Sequence, residues 1–248
     1  MKFKKLTTIA LGAALSTTSY LASATVLTFQ NGYNPGDYAG TQDTEIRSGT
    51  PTANYGANTN LSIDLSNGGS VSQALFRFDN IFGGALIPMG SAIGTATLGL
   101  QIHSPGNDLR IGRMLSAWDE GTVTWNSFFG GGLSGVLGPL STLTGLDSGS
   151  VTDEVTVYNI NVTAELQAWA NGAANYGWGL VPTGTDGVDF HASEHPNDGH
   201  VRPLLTVSFK APPPPPPPQG VTVPEPSTLA LMSLGLLGSF GFMRRKAR

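Results

Sequence analysis

The chain has 248 residues, no cysteine, 13 Lys and Arg against 17 Asp and Glu, and a charged fraction of only 12%. Without cysteine there is no disulfide, thiolate nucleophile or thiolate metal site, and the acid excess argues against binding to nucleic-acid backbones, which needs clustered cations. The 33 glycines, with Thr, Ser and Asn abundant, favour short strands joined by tight turns over long helices.

In chain order, Lys2, Lys4 and Lys5 precede an apolar stretch from Leu6 to Leu15, and Ala22-Ser23-Ala24 supplies the small residues a signal peptidase cleaves beside. Residues 1–24 therefore read as a signal peptide cut after Ala24. Three of the Lys and Arg lie in this leader and four at the far end, so six remain against all 17 acids between Thr25 and Pro226, a balance of −11. About 185 residues from Thr25 to Lys210 suffice to bury the core of one domain.

Strands are expected at Val26 to Gln30, Gln42 to Arg47, around Leu61, Ile63 and Leu65, at Ala74 to Ile81, Ile93 to Ile102 and Leu109 to Leu115. The clearest is Ile93 to Ile102, where Ala96, Leu98, Leu100 and Ile102 alternate with other residues and mark one buried face. Along Ala74 to Ile81, Leu75, Arg77 and Asp79 share one face and Ala74, Phe76 and Phe78 the other. Gly130 to Gly149 has no periodicity and reads as a long loop. One helix is expected from Val162 to Gly172, with Val162, Leu166 and Trp169 at helical spacing and Gly172 as its stop. Val155 to Ile160, Tyr176 to Val181, Val188 to Ala192 and Leu204 to Phe209 complete the strands. Roughly ten short strands without βα repeats give an all-β fold, a β-sandwich or jelly roll with one short helix.

Several motifs follow one another through this body. They are Asp43-Thr44, Asn54-Tyr55-Gly56, Leu75-Phe76-Arg77-Phe78, Ala96 to Leu100, and Trp118-x-Glu120-x-x-Val123-Thr124-Trp125-Asn126. Val162-Thr163 with Trp169, Asn175-Tyr176-Gly177, and Ser193-Glu194 with Arg202-Pro203-Leu205 follow. In this order they resemble the DNRLRE domain family over nearly all of Gly40 to Phe209. The resemblance implies a β-sandwich like a carbohydrate-binding module, related to a disaggregatase acting on a cell-clump polysaccharide. The strand Leu75 to Asp79 departs from the name-giving motif, and the Gly130 to Gly149 loop is longer than typical for the family.

Candidate ligand contacts are the aromatics Tyr55, Tyr176 and Trp178, in or beside loops, and Arg77, Arg110 and Arg113, whose planar guanidinium groups suit the carboxylate of an anionic sugar such as a uronate. Trp118 and Trp125 fit either a stacking platform or the core. His191, His195 and His200 with Glu194 and Asp198 offer transition-metal ligands at no recognisable spacing, so a solvated loop competes with that reading. A structural calcium held by carboxylates, with Asp43, Glu45 or Asp189 among them, is compatible with the fold. No other cofactor is indicated by the sequence. Asp119-Glu120 and Asp153-Glu154 are sequence neighbours, so in extended chain they point to opposite faces and do not form a facing catalytic pair. Asn161-Val162-Thr163 matches a glycosylation acceptor, but its Val and Thr fall on the helix start, and capping accounts for it better.

Pro212 to Pro218 is a stiff linker of about 22 Å at 3.1 Å per residue. The tail from Pro224 to Arg248 joins Pro224-Glu225-Pro226 to 17 uncharged residues, Ser227 to Met243, and then Arg244, Arg245, Lys246 and Arg248. Such a run is the short end of a membrane-crossing helix, and the cations fix its end in the cytoplasm. This tail resembles the PEP-CTERM sorting signal of Gram-negative bacteria, which implies processing by an exosortase. The expected organisation is a signal peptide (1–24), a sandwich (25–210), a proline-rich linker (211–223) and a sorting signal with a transmembrane helix (224–248). The expected product is a surface or matrix protein that attaches without catalysis to extracellular polysaccharide in a biofilm or floc, after transient anchoring in the inner membrane. Its partners are signal peptidase, exosortase and polysaccharide, with no nucleic acid. A polysaccharide lyase or hydrolase and a purely structural surface protein are the alternatives.

Overall fold

The structure is a computed structural model that describes residues 23–33, 35–146, 157–196 and 201–215. The leader before Ser23 and the sorting tail, with its expected transmembrane helix, lie outside the described residues. Every element falls in one compact unit, Met1–Pro212.

Eleven strands, all paired antiparallel, form among the described residues: β1 (Thr25–Phe29), β2 (Thr41–Arg47), β3 (Asn60–Asn67), β4 (Ser70–Phe78), β5 (Ala92–Ser104), β6 (Leu109–Arg113), β7 (Ser141–Leu143), β8 (Val157–Asn161), β9 (Trp178–Pro182), β10 (Val188–His191) and β11 (Leu204–Lys210). One layer is β1, β11, β5 and β8, and the other contains β2, β3, β4, β9, β6 and β7. β10 hydrogen-bonds both β5 and β3, so the layers are continuous there. β7 pairs with β6 and β8 with β5, and no pairing among the described residues joins β7 to β8.

Local sequence explains the elements. β3 and β4 form a hairpin in which Asn67 pairs with Ser70 across Gly68 and Gly69, at φ +60 and +87. Both values are left-handed, which is what a two-residue turn following strand twist demands. On β5 the expected alternation holds, and Ala96, Leu98, Leu100 and Ile102 face the main core with Leu205, Val207 and Phe209 of β11. Leu65 breaks the pattern expected on β3. Leu61 and Ile63 are fully buried, but Leu65 is 41% exposed where the strand approaches its turn.

The helix, α1 (Thr163–Ala170), ends where Gly172 takes φ +99. Thr163 Oγ1 accepts the Ala96 N–H at 2.9 Å and Gln167 Oε1 the Ile93 N–H at 2.8 Å, which ties α1 to β5, while Leu166 and Trp169 enter the core.

β4 is covered on both faces. Ala74, Phe76 and Phe78 enter the main core, and Leu75 enters a second cluster with Ile46, Met114, Trp118, Val123, Phe128 and Leu133. The chain after β6 therefore folds back over the outer face of the second layer. This corrects the expectation of a featureless loop from Gly130. Leu133, Leu143 and Leu146 are buried, and Ser141–Leu143 forms β7. A three-residue strand is too short to show periodicity. Residues 147–149, the end of the expected loop, lie outside the described residues.

Candidate functional site

Two features of the sandwich combine polar chemistry with burial. The first is a carboxylate cluster at the edge of β2. Asp43 pairs across the ladder with Phe76, and cross-strand partners share a face, so this carboxylate lies on the core side and is only 1% exposed. Its backbone N–H, on the side of β2 that no strand occupies, donates to Glu120 Oε1 at 2.6 Å. Its carboxylate accepts the Ser193 N–H at 3.0 Å, and Ser193 Oγ donates to Glu194 Oε1 at 2.8 Å. One oxygen each of Asp43, Glu120 and Glu194 lie within 4.8 Å of one another. Glu194 Oε2 is buried with no hydrogen-bond partner.

Burial raises the proton affinity of all three, and neighbouring carboxylates add to it for Asp43 and Glu120. Desolvation, then the charges of Glu194 and Glu120, push the Asp43 carboxyl well above its usual range. Desolvation is the main cause for Glu120, at about 7, and for Glu194, which is also raised. An oxygen-only set of this kind suits a hard divalent cation such as calcium, whose charge would offset the repulsion. Of the expected calcium ligands, Asp43 belongs to this cluster. Glu45 is instead engaged by Arg47, Asn58 and the Ser62 N–H, and Asp189 is not a member.

The histidines meet differently from the expected loop site. The rings of His103 and His191 lie 4.9 Å apart and those of His191 and His195 4.1 Å, while His191 Nδ1 is 2.7 Å from Asn60 Oδ1. Burial, then the neighbouring His195 and His103, lower the His191 pKa to about 4. Among the described residues the carboxylate trio is the group with convergent ligand atoms, and the histidines are not. Asp198 and His200 lie outside the described residues.

The second feature is a cleft of about 160 Å³ where β6 and β7 of one layer face β8 and α1 of the other. It brings together two of the residues singled out from sequence, Arg113 and Trp178, with Ser141, Asn159, Asn161 and Glu165. Arg113 follows Leu109 and Ile111 on the inward side of β6 and forms no ion pair among the described residues. Trp178 is 1% exposed and packs on Trp169 with ring centroids 4.9 Å apart. It is a core residue, not the solvent-facing stacking ring expected beside a loop, because β9 begins at this residue and carries it inward.

The other candidates lie elsewhere. Arg77 is held by Asp79 at 2.7 and 3.0 Å, by the Trp118 carbonyl at 2.5 Å, and by the Trp118 ring, 4.8 Å from its guanidinium. An arginine so engaged is a structural clamp. Trp118 is buried, its Nε1–H donating to the Tyr176 carbonyl at 2.8 Å, and Trp125 packs half-buried on the second cluster. Tyr176 packs there too. Tyr55 is half-buried beneath the Arg47 guanidinium at 4.7 Å, with its hydroxyl 2.5 Å from that of Thr50. Arg110 is exposed, on the opposite side of β6 from Arg113. Glu120 was not singled out as a ligand from sequence and Glu194 only as a companion of the histidines, although both stand in the ordered motifs, beside Trp118 and Ser193.

The described residues thus form an antiparallel sandwich with a buried carboxylate cluster and a polar cleft between its layers. The profile of carbohydrate-binding module family 96 matches residues 35–208, a span containing every motif from Asp43-Thr44 to Leu205, and the chain belongs to that family. The PEP-CTERM protein-sorting motif matches residues 222–246. No curated protein matches the chain.

Proposed function

We propose that this protein is exported, held briefly in the inner membrane by its C-terminal segment, processed by an exosortase, and left at the cell surface or in the surrounding matrix, where its sandwich attaches to extracellular polysaccharide without cleaving it. The reading is supported by one arrangement: a carbohydrate-binding module over residues 35–208 and a sorting motif over residues 222–246 in the same chain. The leader and the cations after Met243 are consistent with a substrate that crosses the inner membrane and pauses there. Signal peptidase and exosortase act on the two ends, and polysaccharide is the ligand of the body.

The test is incubation of the purified chain with an array of neutral and acidic polysaccharides, following both retention and the appearance of new reducing or unsaturated ends. Retention without new ends is expected. New ends would make the protein a polysaccharide-degrading enzyme, and neither retention nor new ends would leave a structural surface role.

A further inference from the structure

We infer that Asn67, at the tip of the β3–β4 hairpin, is a site of spontaneous modification, where the folded chain deamidates to aspartate and isoaspartate ahead of its other Asn-Gly pairs. The chain has three such pairs, Asn31-Gly32, Asn67-Gly68 and Asn171-Gly172. In this dipeptide the asparagine amide is most open to attack by the next backbone nitrogen, because glycine has no side chain to hinder the approach and leaves the backbone free to turn. The shared dipeptide does not rank the three pairs. Their hydrogen bonds do.

Attack requires a nitrogen that is not already committed. The Gly32 N–H donates to the Tyr38 carbonyl at 2.7 Å, and the Gly172 N–H to the Trp169 carbonyl at 2.9 Å. The asparagines of these two pairs are held as well. Asn31 Oδ1 accepts the Thr41 N–H at 3.0 Å while its carbonyl accepts from Arg202 Nη1 at 3.0 Å. Asn171 Oδ1 accepts from Gln167 Nε2 at 3.1 Å, and its own N–H closes the last turn of α1 on the Gln167 carbonyl. Gly68 differs on each count. It is exposed at φ +60 in the two-residue turn, and its N–H has no acceptor among the described residues. The Asn67 side chain is restrained there by one hydrogen bond at the long end of the range, from Nδ2 to Ser62 Oγ at 3.2 Å.

Water supplies all that the reaction consumes. A solvent base takes the Gly68 amide proton, the nitrogen bonds to Asn67 Cγ, and the Cγ–Nδ2 bond breaks, with Nδ2 taking up a proton and leaving as ammonia. One water then opens the cyclic imide. Opening at the side-chain carbonyl gives aspartate, and opening at the main-chain carbonyl gives isoaspartate, whose backbone is longer by a carbon. Either product adds a negative charge to the strand that already carries Asp64, and isoaspartate lengthens the chain where Asn67 pairs with Ser70 and a two-residue turn sets the register.

The experiment ages the full chain, purified in detergent, in mildly alkaline buffer and follows each pair by peptide mapping, with mass reporting the change of amide to acid and isoaspartyl methyltransferase labelling the isoaspartate. Asn67 is expected to react first, and Asn31 and Asn171 about fivefold slower or more, the factor that giving up one ordinary hydrogen bond imposes. In urea the three rates are expected to converge. Asn67→Gln, whose ring would need a further carbon, is expected to abolish the early acidic species on ion exchange, and Ser62→Ala to speed the loss at Asn67. Deamidation of Asn31 or Asn171 in the folded chain as fast as that of Asn67 would overturn the assignment. So would an Asn67 that stays intact in the folded chain while reacting in urea. The same ranking in urea as in buffer would show that local sequence, and not the fold, selects the site.

Discussion

Asp43 shows what one residue can demand of a fold. A carboxylate on the core face of an edge strand, beside Phe76, keeps its charge only if something compensates it, and the two nearest acids make compensation harder. The sign of the pH effect follows from the raised pKa. Glu120 binds its proton more tightly folded than unfolded, so stability is greatest below about 4.5 and declines as pH rises through about 7. His191 works in the opposite sense over an overlapping range, since its pKa falls from 6.5 to about 4 and acid destabilises the fold through it. A single melting curve would therefore mix the two. The informative quantity is the Tm difference between Glu120→Gln and the parent, followed with pH in the absence of divalent ions. That difference is expected to grow in favour of the variant from pH 4.5 to 7, because the amide carries no charge to desolvate. Millimolar calcium at neutral pH is expected to raise the Tm of the parent more than that of the variant. A pH-independent difference would show that Glu120 is not a titrating member of the cluster.

At the scale of elements, the helix and the turns show which parts of the fold can be read from sequence. Periodicity revealed β5, β11 and α1 because each has one face against the core, so burial writes a period into the residues. It also places Trp169, whose indole leaves α1 to stack on Trp178 of β9. Trp169→Ala is expected to cost about 3–5 kcal/mol, the range for deleting a buried large aromatic, measured as a lower midpoint in urea. A loss under 1 kcal/mol would mean that the helix is peripheral to the core. The two Asn-Tyr-Gly segments share a device. Asn54 Oδ1 accepts the Gly56 N–H and Asn175 Oδ1 the Gly177 N–H, while each amide nitrogen reaches a distant carbonyl, of Glu120 and Phe78 respectively. Gly177, at φ +72, has no room for a side chain, since an added Cβ would lie 2.0 Å from the Phe76 carbonyl oxygen. What sequence did not disclose is convergence. Asp43, Glu120 and Glu194 come from three distant segments, and no local spacing relates them. Trp178 was misplaced for a related reason: what buries it is Trp169, on the distant α1.

For the molecule as a whole, the binding module and the sorting tail obey different physics, and one substitution separates them. The module is stabilised by burial, so changes beyond its last strand, which ends at Lys210, leave its core intact. The tail depends on recognition. The sorting motif Pro224-Glu225-Pro226 stands directly before the apolar run. Glu225 is its one charge and the natural handle. Glu225→Ala, expressed in a cell that carries an exosortase, is expected to leave the chain in the membrane fraction at its unprocessed mass, while the parent appears outside at a mass lower by the tail. Both proteins should bind polysaccharide equally after detergent extraction, since the change lies outside residues 35–208. Equal processing of the two would mean that the glutamate is dispensable for sorting. Loss of binding by the variant would mean that tail and module are energetically coupled.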